Sequence, residues 1–311
     1  MKMFKRIGLF VLTNILVVTT VGFIIGIVSR FFGIDLQASG YAGLFVLCLI
    51  WGIFGSLISL LISRWVAKKF HGVQVINPLT TNQSELKLLN TVYRIARLAG
   101  MQTMPEVGFY EATEVNAFAT GPSESRSLVA VSTGLMNSMS DSEMEGVLAH
   151  EISHIVNGDM VTMTLIQGVV NAFAMFFAHI LTMIIMNAFR RGDSERRGFG
   201  EFMLRQMIYS FASIALTLLG SIVVNFFSRR REFRADAGGA RLTSTEKMAQ
   251  ALLKLQRVYE IPQARVNENE KGSDTLAALK ISGNSSGFSR LFMTHPPLEE
   301  RIAALRNRTY Q

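Results

Sequence analysis

The 311-residue chain has one cysteine, Cys48, so it forms no intrachain disulfide and carries no mark of an oxidising compartment. Charge is scarce as well: 17% of residues are Asp, Glu, Lys or Arg, against about 25% in soluble domains. No stretch interleaves aromatic and basic residues, which argues against a single-stranded nucleic-acid platform, and no internal repeat is present. The net charge of +8 is also missing from any broad polar face. It gathers where apolar runs end, at Lys2, Lys5 and Arg6, at Arg64, Lys68 and Lys69, and at Arg229, Arg230, Arg231 and Arg234. Charge placed this way anchors helix ends in a lipid bilayer, so the partner it implies is a membrane and not nucleic acid.

What the chain has in excess is apolar length. Hydrophobic residues make up 49% of it, and its mean hydropathy is +0.30. Four uncharged runs carry this excess, Ile7–Val28, Tyr41–Ser63, Val161–Phe189 and Gln206–Ser228. Each reaches the roughly 20 residues that span a hydrocarbon core. No A-x-A-like cleavage site follows the first run before Arg30, so it reads as an uncleaved anchor. The expected organisation is two N-terminal spans within residues 1–63, a polar segment over 64–160, a membrane hairpin over 161–228 and a second polar segment over 229–311.

The polar segments show mixed periodicities. In "NQSELKLLNTVYRIARLAG", Leu86, Leu89, Val92, Ala96 and Ala99 recur at helical spacing, and Gly100 is a plausible stop. "EVGFY", "NAFAT" and "SLVAVS" read as strands. "SDSEMEGVLAHEISHIVNG" reads as a helix opened by a Ser140/Glu143 capping box and broken at Asn157-Gly158. After the hairpin, helices are expected over "RREFRADAGGARL", near Thr245–Tyr259 and from Pro297, the last with Leu298, Ile302 and Leu305 inward. The loops 261–274 and "SGNSSG" read as exposed. The fold class is a multi-span α-helical membrane protein with a small α+β domain split by the hairpin.

Within that helix lies "HEISH". His150 and His154 are four apart, so their imidazoles share one helix face and can grip one metal ion. A catalytic zinc keeps three protein ligands and a water, and Glu151 stands where a carboxylate can take that water's proton. The third ligand is open among Asp159, Glu195, Glu201, Glu232, Asp236 and His295. Glu232 is favoured because Asp236 follows one turn later, where it can orient a ligand histidine through its second nitrogen. His179, alone in the third span, is expected to make an interhelical hydrogen bond.

The motifs "HEISHIVNGDM", "SRRREFRADAG", "NAFATG" and "FMTHPPLEERI", in their order with two pairs of spans, resemble the HtpX family of membrane-embedded zinc metalloproteases, relatives of the CAAX prenyl proteases. The resemblance implies one zinc ion held by His150, His154 and Glu232, with Glu151 as general base and Asp236 behind a ligand. It also implies that Asn116, Ala117, Phe118 and Ala119 hold substrate by strand addition, and that His295 and Arg301 act near the oxyanion. His295 as a cap for the helix at Pro297, and Arg301 as a structural ion pair, are the alternative roles. The substrates implied are misfolded or damaged membrane proteins and unfolded polypeptides, in stress-related quality control.

At about 1.5 Å per residue, Val161 lies about 10 Å beyond His154 and Glu232 about 6 Å beyond Ser228, if the helices continue. The metal site is therefore expected at one membrane face, and three of the basic clusters assign that face to the cytoplasm; the family resemblance implies that the membrane is a bacterial inner membrane. Arg190, Arg191, Arg196 and Arg197 at the hairpin tip dissent. Either they are outvoted or the hairpin is partly buried without crossing. A processing protease for a lipidated peptide and a scaffold with a vestigial metal site are the rival functions. Oligomeric state is not specified by the sequence.

Overall fold

The computed structural model describes residues 30, 40–189, 199–260, 291 and 293–307. The first apolar run, the arginines of the hairpin tip and the loops over 261–290 lie outside the described residues. The described chain forms two compact units. One takes residues up to Ser59 together with Met163–Val224; the other takes Leu60–Thr162 and Asn225–Gln311.

The first unit is helical. Helix α1 (Gly40–Phe70) contains the second apolar run, and two later helices, Asp159–Phe189 and Phe199–Leu242, contain the third and fourth. Among the described residues these three helices are long and apolar enough to cross a membrane. Gly52 of α1 and Gly168 meet backbone to backbone, and a Cβ on Gly52 would also stand 2.8 Å from the amide nitrogen of Ala172. Small residues at such a crossing let helices approach where lipid offers no hydrophobic drive. Phe45 packs edge-on against Phe173 and Phe176. The His179 ring lies against the Tyr209 ring at 4.4 Å between centroids, an aromatic contact between helices where a hydrogen bond was expected.

The second unit is a four-stranded sheet with helices on it. Strand β1 (Gln74–Val75) precedes helix α2 (Gln83–Leu98), which Asn82 caps through its side-chain oxygen. The buried stripe of α2 is Leu88, Leu89, Val92, Ile95 and Ala96, so Leu86 and Ala99 stand at its margin and not at its centre. Strands β2 (Glu106–Tyr110), β3 (Ala117–Thr120) and β4 (Leu128–Ser132) follow, in spatial order β1-β2-β4-β3. The β2–β4 pair is parallel, with Glu106 opposite Leu128, and β3–β4 is antiparallel, with Ala117 opposite Val131. All five residues of β4 are buried, which is why "LVAVS" lacks polar alternation. Ser132 then caps a short helix α3 (Thr133–Ser138), which the sequence had not suggested.

Helix α4 (Asp141–Val156) starts with a complete capping box: the Ser140 hydroxyl accepts from the Glu143 amide, and the Glu143 carboxylate accepts from the Ser140 amide at 2.8 Å. Its inner face, Met144, Val147, Leu148, Ile152 and Ile155, joins Val129, Val131 and the α2 stripe in the main core. Helix α5 (Asp159–Phe189) begins after Asn157 and Gly158, the latter at φ +64°. Helix α6 (Phe199–Leu242) runs without interruption for 44 residues. The segment "RREFRADAGGARL", expected as a helix of its own, is therefore the end of the fourth span's helix, because no breaker separates Ser228 from Arg234. Helix α7 (Thr245–Glu260) packs Met248 and Leu252 against Ile302 and Leu305 of helix α8 (Leu298–Arg306). Gly146 lets α7 approach α4; a Cβ there would stand 2.7 Å from the Lys247 carbonyl.

Candidate metal centre

The two histidines of α4 project together, ring planes at 83° and centroids 4.6 Å apart. Both are buried, as is Glu232, carried in by α6. Two glycines on α6 permit this approach. A Cβ on Gly239 would stand 3.1 Å from the His150 amide, and one on Gly238 would stand 2.6 Å from the Ser153 hydroxyl. Ligand atoms of His150, His154 and Glu232 lie within 4.8 Å of one another. The Nε2 atoms of the two rings are 3.1 Å apart, and Glu232 oxygens lie 3.4 Å from His150 Nε2 and 3.5 Å from His154 Nε2.

Each ring turns its other nitrogen to a buried carboxylate. His150 Nδ1 lies 2.9 Å from Asp236, and His154 Nδ1 lies 2.7 Å from Asp159. An ionised carboxylate only accepts, so both Nδ1 atoms carry the protons and the Nε2 atoms face Glu232. Asp236 is gripped at both oxygens by the buried Arg301, at 2.6 and 2.7 Å. Arg301 also stands 3.5 Å from Glu232. His295 Nδ1 lies 3.0 Å from Glu232, with its side chain 58% exposed.

The charges explain the titration. Burial alone would lower the His150 imidazolium, but its hydrogen bonds to Asp236 and Glu232 outweigh that and lift it to about 9. Burial would raise the Glu232 carboxyl, yet hydrogen bonds from His150 and His295 hold it well below the usual carboxylate range. Asp236 is likewise held low against burial, chiefly by Arg301.

The donor set fits a divalent cation. Asp159, Glu232 and Asp236 are buried carboxylates, against Arg301 as the buried guanidinium. With neutral imidazoles these four buried groups sum to minus two, which Arg231 beside Glu232 offsets only in part, so a cation among the Nε2 atoms and Glu232 is favoured. Two imidazole nitrogens and one carboxylate are a donor set that suits zinc.

The remaining expected residues are Glu151 and the segment around β3. Glu151 follows His150 on α4 and is partly exposed. Asn116 precedes β3; its amide donates to the Ser132 hydroxyl at 3.0 Å and its carbonyl accepts from the Ser132 amide at 2.9 Å. Ala117 and Ala119 pack toward the main core, while Phe118 faces the opposite side of the sheet with Tyr110 and His71. Two residues at the site were not read from the sequence in these positions. Asp159, weighed only as a metal ligand, meets the far side of His154. Arg231 brings a guanidinium nitrogen to 3.1 Å from Glu232. The Asn157-Gly158 break signalled the turn that returns Asp159 to its histidine, but not where that side chain would point.

Comparison with known proteins identifies the family. The profile of peptidase family M48 matches residues 82–309. The chain is 49% identical to Protease HtpX of Aeromonas hydrophila subsp. hydrophila over 302 residues, covering 97% of this chain and 99% of that one. It is 45% identical to the Protease HtpX homolog of Bacillus licheniformis over 308 residues, covering 97% and 98% respectively. Among solved structures, S. mikatae Ste24p shares the fold, with a TM-score of 0.59 at 19% identity. That likeness covers 94% of this chain, which spans 65% of the Ste24p chain. Together, these matches and the buried His-His-Glu group show that the chain belongs to the HtpX proteases of metallopeptidase family M48.

Proposed function

We propose that the chain is a zinc-dependent endopeptidase of the bacterial inner membrane, cutting misfolded or damaged membrane proteins at the cytoplasmic face. The observation that carries the chemistry is the convergence of two Nε2 atoms and Glu232, with both Nδ1 protons held on the far side by carboxylates. His150, His154 and Glu232 would hold the zinc ion, which when bound would supply Lewis-acid polarisation and lower the pKa of water.

The chain's own residues do the rest. Glu151, one residue from a ligand and open to solvent, takes the proton of the attacking water and returns it to the leaving amine. Strand β3 ends the sheet, so Asn116, Ala117, Phe118 and Ala119 offer an edge on which an extended polypeptide adds as a strand. His295, exposed and in contact with Glu232, donates a hydrogen bond to the oxyanion in this reading. Arg301 is committed to Asp236 on both sides and serves the reaction by holding that carboxylate against His150.

The cytoplasmic orientation rests on the basic residues Arg64, Lys68 and Lys69 beyond Ser63, and Arg229, Arg230, Arg231 and Arg234 beyond Ser228. The quality-control role rests on resemblance to the HtpX family and on a substrate edge made of backbone, which demands little of a substrate's sequence.

The test is purification in detergent, metal analysis, and proteolysis of several unrelated unfolded substrates by the wild type and Glu151→Gln. The wild type should hold one zinc and cleave all of them. The variant should hold the same zinc and lose about 10²–10⁴ of the rate. Equal proteolysis by the two proteins would overturn the mechanism.

A further inference from the structure

The carboxylate behind His150 comes from the same helical segment as Glu232, but the one behind His154 has a different origin. His154 Nδ1 lies 2.7 Å from an oxygen of Asp159, whose residue is 1% exposed. Asp159 is the first residue of α5. It can reach back because α4 closes at Asn157 and Gly158, in the left-handed conformation at φ +64°, redirects the chain at once.

The surroundings of the two carboxylates also differ. Asp236 shares both oxygens with Arg301, which withdraws negative charge from its bond to His150. Asp159 has Arg234 at 3.6 Å, on a side chain 63% exposed to water. Asp159 also opens a 31-residue helix, at the end that carries partial positive charge.

We propose that Asp159 is a positioning residue of the metal centre, fixing the Nδ1-protonated tautomer of His154 and strengthening its Nε2 as a donor. Metal affinity then depends on the first turn of α5. The proposal rests on the reading that His150, His154 and Glu232 hold a metal ion.

The experiment uses the full chain in detergent, stripped of metal and titrated with zinc ion against a chromophoric chelator. Four proteins are compared: wild type, Asp159→Ala, Asp159→Asn and Arg234→Gln. Asp159→Ala should weaken zinc binding by roughly 10–100-fold. Asp159→Asn should weaken it less, because its amide oxygen still accepts from Nδ1. Arg234→Gln should stay within about two-fold, since a solvated cation at that distance contributes little. Nitrogen NMR of the five ¹⁵N-labelled histidines in the metal-free protein supplies the second readout. One ring should leave the Nδ1-protonated tautomer in Asp159→Ala and keep it in Asp159→Asn and Arg234→Gln.

Unchanged affinity in Asp159→Ala would overturn the proposal while leaving the metal site standing. So would an equal loss in Arg234→Gln, which would reduce Asp159 to one half of an ion pair. If the alanine variant does not fold, Asp159→Asn decides, and wild-type affinity in it overturns the proposal. A wild-type protein that binds no zinc overturns both the proposal and the reading beneath it.

Discussion

The Nε2 atoms of His150 and His154 face each other at 3.1 Å, with Glu232 oxygens 3.4 and 3.5 Å away. Two imidazole lone pairs this close repel unless a proton or a cation lies between them and the carboxylate. In the metal-free protein a proton on His150 fills that role, held up to about 9 against burial by Asp236 and Glu232. A folded value above the ordinary imidazole value of about 6.5 means that the proton favours the folded state. That contribution, on the order of 3 kcal/mol, is full below about pH 6.5 and lost as pH rises toward 9. The chelated protein should therefore show a falling Tm across that window. On the proposed reading a zinc ion would replace that proton, so loading near pH 7.5 should release about one proton per ion. A flat Tm profile with no proton release would refute this account.

Glu232 and Glu151 are both carboxylates of this centre, and metal content separates their roles. Glu232→Gln keeps the volume but loses the charge that faces both Nε2 atoms, so zinc retained after dialysis should fall below roughly a tenth of wild type. Glu151→Gln should retain all of it. If Glu232→Gln keeps full zinc, the third ligand lies elsewhere.

Much of this was legible because its causes are local. The capping box, the i, i+4 histidines and the β2 and β4 strands depend on residues a few positions apart, and they lie where the patterns put them. Features set by distant packing were not legible. The α2 stripe centres on Leu88 and Ile95 because of where the sheet lies. The α6 helix runs on through Arg229–Arg231 because charge does not end a helix. The engagement of Asp159 with His154 depends on how one glycine turns the chain. The Glu232–His295 contact depends on the path of the chain leading into α8, and no spacing rule encodes that.

The Asp236–Arg301 pair is buried on both sides, which makes it costly to break by halves. Arg301→Gln leaves a buried carboxylate without its cation and should destabilise the protein by about 3–5 kcal/mol. Asp236→Asn together with Arg301→Gln removes both charges and should recover part of that loss, a coupling readable by denaturant titration in detergent. Strictly additive losses would show that the two groups do not act as a pair.

The edge of β3 permits a test that separates substrate binding from folding. In an antiparallel pair, residues alternate between those that bond across the ladder and those whose N–H and C=O point away. The Asn116 carbonyl accepts from the Ser132 amide, so the bonded positions are Asn116, Phe118 and Thr120, opposite Ser132, Ala130 and Leu128. Ala117 and Ala119 then turn their amides away from β4, toward the open edge where the proposed substrate strand would add. A proline at an outward position removes a donor that β4 does not use, and edge strands tolerate it. Ala119→Pro should leave Tm within a few degrees of wild type and zinc content at one, while raising KM about ten-fold or more. Phe118→Pro should instead break a ladder bond and lower Tm. If Ala119→Pro cleaves unfolded substrates with wild-type KM, substrate does not add to β3, and the strand's role at the site is only to pack against α4.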